Sequence, residues 1–215
     1  MEEREQEEGS SSQNVNITVS VYKERGTFLE IILSDSSSFF ILPDDFIATK
    51  LFPGDIVSEE MREHIAISHK ICLAFNKALS LISYAPSSAF MLKQKLIRKG
   101  FDSVSVSEAF KILAARKIID DRAFAENWVS SRLRRNPESP MVLKAALMRK
   151  GIERSVAEEV LKELTPDSSQ YIEAFEKAFE RQMRKAGRTD DKVRISLSRK
   201  GYPLSLINKY LDNQT

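Results

Sequence analysis

Three stretches decide the fold: LKQKLIRKGF (92–101), LKAALMRKGI (143–152) and VRISLSRKGY (193–202). Each carries an apolar pair four residues apart, namely Leu92 and Leu96, Leu143 and Leu147, Val193 and Leu197. That spacing is close to one helical turn, so each pair predicts a single buried stripe. Each stretch then ends in Arg-Lys-Gly and a large residue, Phe101, Ile152 or Tyr202. Gly100, Gly151 and Gly201 read as helix C-caps, because glycine enters the left-handed conformation that closes a helix without a Cβ clash. The basic residues before them complement the negative end of the helix dipole, by roughly 0.3–1 kcal/mol each.

Working outward, a second helix follows each glycine. Its apolar positions are Val106 and Phe110, Ala157 and Leu161, Ile207 and Leu211. A third helix precedes each stretch. One carries Ile71, Ala74, Ala78, Leu81 and Ile82 behind Ser58. The next carries Phe124, Trp128, Val129 and Leu133 behind Asp120-Asp121. The last carries Ile172, Phe175, Phe179 and Met183 behind Thr165-Pro166. Asp120, Ser139 and Thr165 are predicted N-caps, with Pro140 at the first helical position after Ser139; Ser87 or Ser88, and Thr189 or Asp190, are the corresponding candidates in the other copies. One such unit cannot bury its own stripes, so neighbours must stack. The expectation is a mainly α chain with three tandem three-helix repeats, over 58–117, 118–165 and 166–215, forming an elongated curved array.

Upstream the period changes. Residues 1–13, MEEREQEEGSSSQ, are charged and small and read as a disordered acidic tail. Residues 14–57 read as a small β-rich module. Val15, Ile17, Val19 and Val21 alternate with polar residues, Lys23 to Gly26 makes a turn, and strands follow at 28–33 and 39–42. Pro43-Asp44-Asp45 opens a short helix.

Charge follows the same division. The 215 residues have a formal net charge of +2, which alone suggests no electrostatic partner. Residues 1–70 hold 6 Lys+Arg against 14 Asp+Glu, a net −8; residues 71–215 hold 27 against 17, a net +10. Near-neutrality is therefore a cancellation between an acidic leader and a basic helical part.

Enzyme chemistry finds no purchase. His64 and His69 are five residues apart, on different faces of a helix, which is poor for shared metal binding. Phosphate-binding, dinucleotide and nucleophile-elbow motifs are absent from the sequence. Asp120-Asp121 reads as a cap rather than an acid/base pair, and the single cysteine, Cys72, as a small buried apolar residue. A lone cysteine cannot form an internal disulfide, which fits a reducing compartment. No run of 18 apolar residues exists, so no membrane span is expected, and the acidic start at Met1 to Glu8 is not expected to act as a signal peptide. The expectation is a cytoplasmic, monomeric, cofactor-free protein.

The basic residues are the functional candidates. They comprise Arg98 and Lys99; Arg132, Arg134 and Arg135; Arg149 and Lys150; Arg184, Lys185 and Arg188; Lys192 and Arg194; and Arg199 and Lys200. Along a stacked array they would form a discontinuous positive strip facing phosphates or an acidic protein, since the guanidinium fork suits both. Trp128 lies on an apolar stripe and reads as core rather than as a stacking platform.

The repeated L-x-x-K-G, together with Ile119-Asp120-Asp121-Arg122-Ala123-Phe124-Ala125 and the arginine-rich end Arg132 to Arg135, resembles the RecX family of recombination regulators over roughly 70–215. The chain departs from that pattern at Asn136-Pro137-Glu138-Ser139-Pro140, where the family commonly has glycine and a basic residue, and at Ser198 in the third copy. The resemblance implies a non-enzymatic protein that binds RecA and its filament on single-stranded DNA, and suppresses ATP hydrolysis, strand exchange and filament growth. A direct DNA-binding helical repeat without recombinase specificity is the alternative.

Overall fold

The computed structural model describes residues 16–185 and 189–213. The acidic tail, Val15 and Arg188 lie outside these. The chain forms two compact units, 1–76 and 77–215.

The first unit is an antiparallel meander of β1 (Val19–Arg25), β2 (Phe28–Leu33) and β3 (Ser38–Ile41), followed by the short α1 (Pro43–Thr49) and the first part of α2 (Glu59–Tyr84). The sheet differs from its sequence reading in two ways. Lys23, Glu24 and Arg25 are strand, not turn; they pair with Glu30, Leu29 and Phe28, leaving only Gly26 and Thr27 in the loop. Gly26 takes φ +65°, the left-handed value a two-residue hairpin needs at its first central position. The second difference is a bulge between Val19 and Val21, which pair with Leu33 and Ile32. The extra residue, Ser20, shifts the alternation by one, so Val19 is buried while Val21 is exposed. Val19, Ile31, Leu33 and Ile41 form this core with Leu51, Val57 and Ile65.

Ser58 starts α2, its Oγ accepting from Met61 N at 3.2 Å. His69 on this helix accepts the Phe40 N–H of β3 at Nδ1, at 2.8 Å. The helix has 26 residues, and its most apolar 18-residue window has a mean hydropathy of 1.3. By length and composition it could cross a membrane, contrary to the expectation from consecutive apolar residues. Within the fold 33% of that window is buried; Ile65, Cys72, Ala74 and Phe75 are buried positions of the helix, while Ile67 and Leu73 are exposed.

In the second unit the helices follow as α3 (Ala89–Arg98), α4 (Ser103–Ala115), α5 (Asp121–Arg135), α6 (Pro140–Arg149), α7 (Arg154–Val160), α8 (Ser169–Met183), α9 (Asp190–Arg199) and α10 (Leu204–Asp212). The fold is thus mainly helical, three tandem helical repeats behind a small sheet. Each Arg-Lys-Gly closes its helix identically. Gly100 N donates to Ile97 O at 2.9 Å and Phe101 N to Leu96 O at 3.3 Å, with equivalent bonds at Gly151/Ile152 and Gly201/Tyr202. These glycines have φ of +90°, +80° and +81°. This is the two-bond termination in which the large residue folds back over the helix. The paired apolar residues ahead of them, Leu92 to Leu197, are all at most 1% exposed, each contributing about 1.5–3 kcal/mol.

The repeats join end to side through these same termini. Ser88, the N-cap of α3, donates from its Oγ to Lys150 O at the end of α6. Ser139, the N-cap of α6, donates its N–H to Lys200 O at the end of α9, at 2.9 Å. The start of one central helix therefore supplies donors to the orphan carbonyls ending the next. Each acidic pair residue has its own task. Asp120 caps α5, accepting from Ala123 N at 2.9 Å, while Asp121 reaches across to accept Ala89 N in the first turn of α3 at 2.8 Å.

Thr165 does not cap α8. Its carbonyl accepts both the N–H and the Oγ of Ser168, at 2.9 and 2.8 Å. Ser168, at the far side of that turn, is the cap and accepts from Tyr171 N. Pro166 belongs to the turn rather than to the first helical position.

A basic groove as candidate functional site

Helices α3, α5 and α6 bound an open groove of about 490 Å³. Four of its cations are candidates at helix ends: Arg98 on α3, Arg132 in the last turn of α5, Arg149 at the end of α6, and Lys150 just after it. The fifth, Lys95, also comes from α3. None of the lining residues is an Asp or Glu. Phe90, Met91 and Trp128 supply the apolar part.

Local sequence explains the convergence. On α3, Gln94, Lys95 and Arg98 lie three, four and seven residues after Met91, a stripe beside the buried Leu92 and Leu96. Arg98 and Arg149 sit in last turns, where the dipole favours a cation. Arg132 is held by a two-point fork, Nε to Glu138 Oε2 and Nη2 to Glu138 Oε1, both 3.0 Å. Asn136 donates to the same carboxylate at 3.1 Å. Lys95 donates to the neutral Ser87 Oγ at 2.8 Å, and Arg98 to Gln94 O at 3.3 Å. Arg149 is exposed and makes no ion pair among the described residues.

Trp128 is half-buried. It packs on the helical core, as its periodicity predicts, yet also lines the groove. Lys150 Nζ stands 5.3 Å and the Arg132 guanidinium 5.8 Å from its ring centroid, both within cation–π range. The core-only reading of Trp128 is therefore corrected. A stripe reports which side of a helix faces inward, but an indole at the stripe's edge is wide enough to reach both core and groove. Phe90, Met91, Gln94 and Lys95 were not singled out from sequence; the stripe beside Leu92 and Leu96 was the available signal.

The other candidates lie elsewhere. Lys99 is exposed and does not line this groove. Arg134 bonds Ser130 at 2.6 Å and lines a different cleft with Glu173 and Lys177. The carbonyls of Arg134 and Arg135 accept from the Arg181 guanidinium, which so caps the end of α5 from α8. Arg184 pairs with Glu180 at 3.1 Å, and Arg194 with Asp191 at 3.0 Å and Asn208 at 3.0 Å. Lys185, Lys192 and Arg199 are exposed.

Lys200 departs most from its reading as a contact residue. Its ammonium donates to Asn136 Oδ1 and, at 3.0 Å, to Pro137 O. Burial pushes its pKa down, partly opposed by Glu138. It is a strut between two repeats, whereas Lys150, at the same place in the preceding copy, faces the groove. Asn136-Pro137-Glu138, where the chain departs from the family pattern, is the segment that holds both Lys200 and Arg132.

With this geometry in view, likeness to known proteins becomes specific. Residues 74–111 match the model of the first three-helix domain of RecX, and residues 120–161 that of the second. A regulatory protein RecX from Chlorobium limicola is 31% identical over 132 residues, 61% of this chain and 83% of that protein. One from Geobacillus kaustophilus is 28% identical over 167 residues, 76% of this chain, and the match spans 62% of that protein's length. The crystal structure of a regulatory protein RecX superposes with a TM-score of 0.72 at 24% identity, covering 91% of this chain and 99% of the other, a likeness of fold. RecX from Lactobacillus salivarius gives 0.54 at 26% identity, covering 66% of this chain and 97% of that one. Two family domains in the right order, and a relative matched over most of its length, place this chain in the RecX family.

Proposed function

We infer that this chain is a non-enzymatic regulator that binds RecA and the RecA–single-stranded-DNA filament, lowering its ATPase, strand exchange and growth. It would act in the cytoplasm. The observation that carries the reading is membership of a family whose curated relatives are named regulatory proteins. The cation-lined groove supports it, because a filament on single-stranded DNA carries phosphates that such a face attracts.

The test is a titration of this protein into RecA assembled on single-stranded DNA, with ATP hydrolysis as readout. Inhibition below RecA stoichiometry is expected; full hydrolysis at saturating protein would sink the reading. Charge reversal at Arg98 and Arg149 is the cleaner perturbation. Reversing Arg132 would also set two carboxylates against each other at Glu138.

A further inference from the structure

We propose that the α3/α5/α6 groove is a binding site for a short single-stranded nucleic-acid segment, with Arg98, Arg149 and Lys95 on its phosphates and Trp128 offered to a base. The proposal deepens the filament reading and rests on it for biological context. It concerns the ligand of one named site.

Four observations select this ligand class. Among the described residues the groove gathers five cations and no lining carboxylate, and Glu138, the carboxylate bonded there to a lining cation, is occupied by the fork of Arg132. Its cations come from three separate elements, α3, the last turn of α5 and the end of α6. Aromatic surface lies among them: Trp128 is half-buried, and Phe90 is 44% exposed. Two cations already stand near the indole, at 5.3 and 5.8 Å. Charge alone would suit an acidic peptide equally well. An aromatic surface beside phosphate-binding cations suits a strand whose bases are unpaired, because stacking then adds about 1–3 kcal/mol per base. A duplex keeps its bases stacked and offers no free base face to the indole.

The groove is also a fixed feature. Gly151 lies against Phe90 so closely that an added Cβ would stand 2.2 Å from the Phe90 Cβ. Ser88 binds Lys150 O, and Asp121 binds Ala89 N. The three helices are thus tied at the rim, and a ligand would meet preorganised charge.

Trp128 is the chain's single tryptophan, so no second indole contributes to the emission read at this groove. The full chain is titrated with a short oligothymidylate, its duplex with oligoadenylate, and poly-glutamate. Oligothymidylate is expected to quench Trp128 and to bind with a log–log salt slope of about −0.7 per phosphate contacted. Arg98→Glu with Arg149→Glu, both exposed, is expected to weaken it about tenfold or more and to flatten the slope. Unchanged emission on saturation with oligothymidylate overturns the proposal. So does equal or tighter quenching by poly-glutamate, which would make the groove a cradle for acidic protein, or equal binding of the duplex. The filament reading is judged apart. Quenching without inhibition of RecA removes that reading and leaves the groove; inhibition with unchanged emission removes the groove and leaves the filament reading.

Discussion

Replacing the three repeat glycines by alanine, one at a time, separates what a helix end needs from what a repeat junction needs. All three have left-handed φ, which costs an L-residue about 1–2 kcal/mol. At Gly100 a new Cβ would meet nothing within 4 Å, so the backbone term stands alone. At Gly151 it would stand 2.2 Å from the Phe90 Cβ. No side-chain rotation moves a Cβ, so α3 must shift away from α6, an overpacking cost of about 1–3 kcal/mol more. At Gly201 the nearest atom is Ser139 Oγ, also at 2.2 Å. That hydroxyl can rotate only by giving up its cap to Val142 N, and Val142 Cγ2, 2.7 Å from the new Cβ, must turn away as well; both are side-chain ends, so the expected loss falls between the other two. Urea unfolding followed by Trp128 emission reads the differences. With m near 2 kcal/mol/M, the Gly151→Ala midpoint should fall roughly half a molar or more below that of Gly100→Ala. Coincident midpoints for these two variants would refute the stacking of α3 on the end of α6.

Asp121→Ala removes the acceptor for Ala89 N and the negative charge at the start of α3, and should cost about 1–2 kcal/mol of unfolding free energy; a loss no larger than at an exposed carboxylate would mean the bond is not made. Tyr202 is 3% exposed and its hydroxyl has no hydrogen-bond partner among the described residues, so Tyr202→Phe should hold or raise the thermal midpoint, by about 1 kcal/mol equivalent, and a clear fall would point to a partner for the hydroxyl. His69 has its pKa pushed down by burial, and the Phe40 N–H donated to its Nδ1 likewise favours the neutral ring. A group depressed in the fold contributes stability that is present above its unfolded value of about 6.5 and lost as pH falls through the folded value. The His69 ring resonances should therefore titrate below about 6.5, with the Phe40 amide shifting at the same midpoint; titration at or above the ordinary value contradicts the contact.

The helical repeat was legible because its determinants are local. Leucine pairs one turn apart, a dipole-complementing Arg-Lys and a glycine just past the helix act within about ten residues of each other, so they survive as a pattern in one dimension. Ser58, Asp120 and Ser139 were legible for the same reason. Thr165 was misread because Thr-Pro suits a turn as well as a helix start, and only the placement of Ser168 distinguishes them. The sheet was harder. A single bulge at Ser20 inverts the alternation on which strand reading rests, and nothing in Val-Ser-Val announces it.

The candidate site shows the same division more sharply. Sequence by itself determined that helix ends carry cations and that basic charge gathers after residue 70. Tertiary structure alone decided which of those cations meet. Lys150 and Lys200 occupy the same position in identical Arg-Lys-Gly segments and both are half-buried, yet one faces an aromatic groove and the other is bonded to Asn136 and Pro137. The difference lies in which segment packs opposite, 63 or 64 residues away in the case of Lys200. Local propensity sets where a helix stops; the partner across the junction sets whether its last charge is left to bind something else.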